Sequence, residues 1–220
     1  MKLLFPLVMD PIEIREDMIN VLVIENKRDF YAFSKDIYLQ LNKMDRGIVL
    51  SEDGKILDMC KKVEYITCLV PFEFNRKTLI TKLHAKLRDV AIGDYYFETC
   101  ELLSSISTYL NTISESLLCD IEYDEIDVGQ LLKASNTRLC DRDEDLPESL
   151  LEYCMNVVSL EGEKLFVFLG LNQFVDDVEY ISFARSLIGH NLQVLMIESE
   201  YDRKRECDFV TIVDKDGCVI

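Results

Sequence analysis

The sequence predicts an α/β protein: a head domain assembled from both ends of the chain, with an inserted α-helical arm. Three observations carry that expectation. Apolar runs at residues 19–24, 164–169 and 192–197 are nearly unbroken, as expected of strands covered on both faces of a sheet. In the last third, strand and helix patterns alternate, which implies parallel pairing through right-handed crossovers. Between the two strand-rich ends lie two long helical patterns joined by a short connection, the signature of an antiparallel helical hairpin. The expected division is 1–70 and 126–220 for the head and 71–125 for the arm.

Composition sets the outer limits. An apolar fraction of 49% over 220 residues supplies one large or two small cores and argues against disorder. Glycine and proline number only 8 and 4, against an all-β or loop-rich fold. A net charge of -17 disfavours generic binding to nucleic acid or anionic membrane. The eight cysteines form no C-x-x-C pair, and the two histidines, His84 and His190, leave a zinc site poorly supplied. The opening residues lack signal-peptide form and no apolar run approaches the ~20 residues of a membrane span. The expectation is a cytoplasmic protein with reduced thiols and no membrane partner.

Taken in order, residues 3–5 and 12–14 are short β pieces separated by Pro6 and Pro11. Residues 19–24 form a buried strand. Asn26 caps a helix whose Phe30, Phe33, Ile37, Leu41 and Met44 recur at three and four. That strand-to-helix turn, Glu25-Asn26-Lys27-Arg28, has no glycine, so it lacks the backbone cradle of a phosphate loop. Asp53-Gly54 turns a hairpin. Residues 63–69 read as a strand stopped by Pro71. Asn75 is the expected cap of a helix over 76–91, ended by Gly93; Asp94 can cap the next, over 95–119. Its stripe of Tyr96, Cys100, Leu103, Ile106, Leu110, Ile113 and Leu117 reads as core packing. Residues 128–134 form a short helix and 137–140 a strand. Pro147 opens a helix to about residue 160, and Asp176 or Asp177 caps another to 188. Residues 209–213 make the last strand.

Charge is uneven along this chain. Residues 54–88 hold eight basic residues against three acidic ones, and residues 89–200 hold five against twenty-three. A basic element in an acidic protein can bind a polyanion at one surface while the remainder repels it. The candidate DNA contacts are Lys61, Lys62, Arg76, Lys77, Lys82, Lys86 and Arg88, with Lys27 and Arg28 behind them. Arg203, Lys204 and Arg205 form a second patch that suits a loop or a subunit contact. The acidic counterpart is Asp120-Ile121-Glu122-Tyr123-Asp124-Glu125-Ile126-Asp127, five carboxylates in eight residues with no cation among them. Apolar residues threaded between the acids call for some burial, and crowded carboxylates call for a counter-charge. Oxygen ligands alone favour calcium or magnesium. Glu125 and Leu131 fall where a helix–loop–helix calcium loop needs glycine and a bidentate glutamate, so a cation here takes ligands from more than one segment or chain. No G-x-S-x-G, H-E-x-x-H or S-x-x-K pattern appears. Glu198 and Glu200 follow a buried strand, where open α/β sheets place ligands.

Phe5-Pro6-Leu7 with Pro11-Ile12, Glu122-Tyr123-Asp124-Glu125-Ile126 with Leu131-Leu132-Lys133, Leu165-Phe166-Val167-Phe168, and Val194-Leu195 with Glu198 together resemble one family nearly end to end. It is the type II-A CRISPR accessory protein of spacer acquisition, the Csn-two family. The resemblance implies an α/β head related to P-loop/RecA-like folds without the phosphate loop, plus an extended helical arm. It implies a homotetrameric ring, basic inside, that holds double-stranded DNA near its ends, and calcium bound by acidic residues near the joint. It implies no catalytic site, and work alongside the adaptation integrase and the effector nuclease. The acidic joint of the family maps onto Asp120, Glu122, Asp124 and Glu125. The basic lining does not match position by position, so the DNA candidates rest on local charge.

Three functions are weighed. The first is a non-enzymatic DNA-end-binding ring. The second is a scaffold whose arm binds other adaptation proteins. The third is a metal-dependent nuclease using the acidic cluster, against which stands the lack of a positioned base or lysine beside those acids.

Overall fold

The computed structural model describes residues 1–117, 121–141, 145–201 and 205–220. The chain divides into two compact units, Met1–Glu73 with 142–220, and Phe74–Asp141. The first holds β1 (Lys2–Leu4), β2 (Ile12–Glu13), β3 (Ile19–Ile24), α1 (Lys27–Leu41), β4 (Val49–Glu52), β5 (Lys55–Ile56), α2 (Met59–Lys62) and β6 (Val63–Ile66). The second holds α3 (Lys77–Ile92), α4 (Tyr96–Ser114) and α5 (Val128–Ala134). The chain then returns to the first unit with α6 (Leu146–Glu161), β7 (Leu165–Leu169), α7 (Asp177–Gly189), β8 (Gln193–Glu198) and β9 (Asp208–Val213).

The first unit is a mixed α/β structure around a five-stranded, wholly parallel sheet of order β6-β7-β8-β3-β9. All six residues of β3 are buried, which explains why its sequence shows no polar alternation. Side chains alternate across the sheet. Leu22, Ile24, Leu165, Val167, Leu195 and Ile197 join Phe33 and Ile37 of α1 in one core. That core also takes in Leu3, Ile12 and Leu50 from the antiparallel sheet β2-β1-β4-β5. On the other face Phe168 meets Phe183 of α7 edge-on, ring centroids 6.1 Å apart, and α6 packs beside α7. Burying each such aromatic contributes on the order of 2–3 kcal/mol.

Local signals set the element ends. The Asn26 side chain accepts from Arg28 N–H at the start of α1. Asp176 and Glu179 form a reciprocal capping box on α7, as Asp127 and Gln130 do on α5. The β4–β5 hairpin turns at Asp53 and Gly54, whose φ angles of 48° and 75° are those of a type I′ turn. After β3 the main chain is tied down by Glu25 N–H donating to Val213 O at 3.0 Å.

Three expected features differ. The strand expected over 137–140 has no ladder partner; Leu139 is instead bracketed by the Asn75 side chain, which donates to its carbonyl at 3.1 Å and accepts from its N–H at 3.0 Å. Asn75 therefore caps no helix, and α3 starts at Arg76 without a side-chain cap. The same bracket and the packing of α5 on α3 extend the second unit to Asp141, where the sequence put the arm's end at 125. Finally, β6 stops at Ile66, not 69, because its ladder with β7 ends at Phe168. Among the described residues no helix is long and apolar enough to cross a membrane.

Candidate nucleic-acid interface

Helix α3 has two unlike sides because its apolar residues keep a spacing of three and four. Leu79 is fully buried, and Ile80, Leu83 and Leu87 are half-buried on the side that packs against α4 and α5. His84 lies on this inner flank, its Nε2 2.7 Å from Thr137 O. The opposite arc is exposed throughout: Lys77, Thr78, Thr81, Lys82, Ala85, Lys86 and Arg88. At about 100° per residue, Lys82 and Lys86 fall in one row and Lys77 and Arg88 in another. Thr78, Thr81, Ala85 and the exposed Asp89 lie between the rows. Among the described residues Lys77, Lys82 and Arg88 make no ion pair.

The other basic candidates are scattered. Lys27 and Arg28 are exposed just past the C-terminal end of β3, while Lys61 and Lys62 precede the N-terminal end of β6. These strands are parallel, so the two pairs sit at opposite edges of the sheet. Lys61 faces Asp58 at 3.8 Å. Lys62 is half-buried and lines a cavity of about 480 Å³ with Glu16, Glu52 and Glu163, which sets it among the protein's own acids. Arg76 is half-buried at the start of α3. Lys77, Lys82, Lys86 and Arg88 share the exposed arc of α3.

Asp120 lies outside the described residues. Glu122, Asp124 and Glu125 are all exposed on an irregular stretch. The burial that the interleaved apolar residues call for is small: Ile121 and Tyr123 are exposed and Ile126 only half-buried. Tyr123 is held by its hydroxyl, 2.6 Å from Asn111 Oδ1 and 3.1 Å from Ser107 O. Asp127 is committed to α5 as its cap, accepting from Gln130 N–H at 2.7 Å. Among the described residues no three metal-ligating side chains converge.

Two features went unread in the sequence. One is a polar network around the start of α7, which reaches from the end of β8 to the start of β9. Arg205, its side chain only 4% exposed, donates to Asp177 Oδ1 at 2.8 Å and to Asn172 Oδ1 at 3.0 Å, with its guanidinium 3.5 Å over the Tyr180 ring. Asp208 accepts from the hydroxyls of Tyr180 and Tyr201 at 2.7 and 2.8 Å. Burial pushes the Tyr201 hydroxyl up to about 12, helped by Asp208. Glu198, buried at the end of β8, accepts from Asn172 N–H at 3.0 Å. Burial holds its carboxyl up at about 7, against the pull of that N–H and of Arg205. Glu198, Glu200, Asn172 and Arg205 line a cavity of about 400 Å³. So Arg205 belongs to the head's interior and is no surface patch; Arg203 and Lys204 lie outside the described residues.

The other feature is the apolar face of α4. The stripe read as core contains no buried residue, and Phe97 beside it is 82% exposed. Five hydroxyls, on Ser105, Ser107, Thr108, Thr112 and Ser114, donate back to carbonyls one turn earlier. Their polarity is thereby used within the helix, and Leu102, Tyr109 and Ile113 remain as an exposed apolar strip along it.

The fold is similar to that of Stu0660 of Streptococcus thermophilus, a crystal structure. The TM-score is 0.63 at 18% identity, covering 96% of this chain and 74% of that one. No curated protein sequence matches. The family model described as CRISPR-associated protein (Cas_Csn2) matches residues 40–217, a span that takes in strands β6, β7, β8 and β9 of the parallel sheet, all of α3 to α5 and the acidic stretch. By that match the chain belongs to the Cas_Csn2 family of CRISPR-associated proteins.

Proposed function

We propose that this CRISPR-associated protein binds double-stranded DNA, especially near ends, as a non-enzymatic homotetrameric ring of the cytoplasm that acts in spacer acquisition beside the integrase and the effector nuclease. The observation that supports it best is the exposed side of α3, where Lys77, Lys82 and Arg88 hold charges unspent on ion pairs in a chain of net charge -17. Unpaired cations on one face, with acids elsewhere, favour one mode of approach by a polyanion. Contacts to phosphate from such residues give sequence-independent, salt-sensitive affinity.

The double variant Lys82→Glu with Arg88→Glu is expected to weaken binding of a linear blunt duplex at least tenfold at about 0.1 M salt. The slope of log affinity against log salt should shrink by about two units. Fluorescence anisotropy on a labelled duplex reads both. Equal binding by variant and parent sinks the assignment of α3, and no binding by the parent at low salt with calcium sinks the DNA reading itself.

The apolar outer face of α4 supports self-association, and the exposed Glu122, Asp124 and Glu125 support calcium completed by ligands from a second segment or chain. Light scattering should then give four times the chain mass of 25.6 kDa with calcium and a smaller mass after chelation. Asp124→Asn with Glu125→Gln should behave as the chelated protein does. A monomer under both conditions would instead favour the scaffold reading, with the α4 face covered by a different protein. Duplex cleaved by the protein with magnesium or manganese would overturn the non-enzymatic reading.

A further inference from the structure

We propose that α3 seats in the major groove of the duplex, with Lys82 reaching the phosphates of one strand and Lys77 and Arg88 those of the other. This rests on the DNA-binding reading above and adds the mode of contact. The two rows lie about 150° apart around the axis at 100° per residue. A helix grazing the backbone from outside could use one row only, because the other would point along the surface or away. Between the rows stand Thr78, Thr81 and Ala85, with Asp89 beyond them near the C-terminal end, all exposed and none long, so nothing long holds the helix axis off a surface it enters. A helix with its side chains is roughly 10–12 Å across. The major groove is about 12 Å wide, and the minor groove, at about 6 Å, excludes it.

The inserted face reads shape rather than sequence. Thr81 Oγ1 already donates to Lys77 O at 2.8 Å, leaving its methyl outward, and Ala85 has nothing to donate. The end of the helix that enters is also fixed. Asp89 is exposed near the C-terminal end, where phosphate repels it, whereas the N-terminal end carries Lys77 and the positive end of the helix dipole. The N-terminal end enters, and Arg88, at the start of the last turn, meets phosphate at the groove's rim.

The test fills the groove from each side in turn. Ala85→Trp adds bulk at the centre of the strip without changing charge, at an exposed position. Its duplex affinity is expected to fall at least tenfold, while affinity for heparin, a polyanion with no groove, stays within twofold. The unaltered protein should bind a duplex whose cytosines carry glucosylated hydroxymethyl groups, which crowd the major groove, at least tenfold more weakly than the plain duplex. This second arm holds even where the tryptophan variant misfolds. Undiminished binding of the glucosylated duplex, or its loss to netropsin in the minor groove, would overturn the seating and leave DNA binding intact. Failure of the unaltered protein to bind any duplex would remove both.

Discussion

Arg205→Met will destabilise the α/β unit by about 2–3 kcal/mol, the largest loss expected from any change outside the apolar core. The Arg205 side chain is almost wholly buried, and its guanidinium makes charge-assisted bonds to Asp177 and Asn172 while stacking on Tyr180. Breaking a fully buried charge pair costs about 3–5 kcal/mol, chiefly through the charge left behind. Here the partner carboxylate, Asp177, is more than half exposed, so it regains water and the cost falls below that range. The lost stacking and the Asn172 carbonyl left without its donor keep it well above a surface pair's ~0–1 kcal/mol. The same asymmetry predicts that Asp177→Asn costs under about 1 kcal/mol, because Arg205 keeps Asn172 and the ring. Urea unfolding of the three proteins checks the order. A loss of less than about 0.5 kcal/mol in the methionine variant would mean that the guanidinium is not held as described.

That network shows where the sequence runs out. Elements whose causes lie within a turn or two of themselves were legible: the continuous apolar strands β3, β7 and β8, the Asp53-Gly54 hairpin, the caps at Asn26 and Asp176, and the break at Gly93. Those signals are local, set by φ, by a cap or by periodicity. Arg205 gathers Asn172, Asp177 and Tyr180 from some thirty residues upstream, with no spacing rule to announce it. Asn75 and Leu139 meet across sixty-four positions, and a side chain that imitates a neighbouring strand is indistinguishable in sequence from a helix cap. The α4 stripe failed for a different reason. Periodicity tells which residues share a face; it does not tell whether that face finds its cover within the chain. The row structure of α3 was half legible: the cations were evident by count, but their separation by Thr78, Thr81 and Ala85 becomes evident only when the inward side is fixed by Leu79.

Glu198→Gln should remove a pH dependence that the parent protein shows. The carboxyl titrates at about 7 in the folded chain instead of near 4.5, because burial disfavours its charge more than Asn172, Arg205 and Leu171 support it. Between those values the folded chain holds a proton that the unfolded chain has released, so stability falls as pH rises through the window and levels off above about 7. At 1.36 kcal/mol per unit, the total is on the order of 3 kcal/mol. Glutamine keeps an oxygen for the Asn172 N–H and carries no charge, so its curve lacks this fall. Relative to the parent it should gain about 2 kcal/mol at pH 8, somewhat less than the full span because its amide N–H groups enter a site built around acceptance. At pH 4 it should gain nothing. The other carboxylates are common to both proteins, so the difference between their unfolding curves isolates this one. Parallel curves from pH 4 to 8 would place the Glu198 proton in the ordinary carboxylate range. The end of β8 would then be wetter than its burial implies, and the cavity beside it open to solvent water down to the carboxyl.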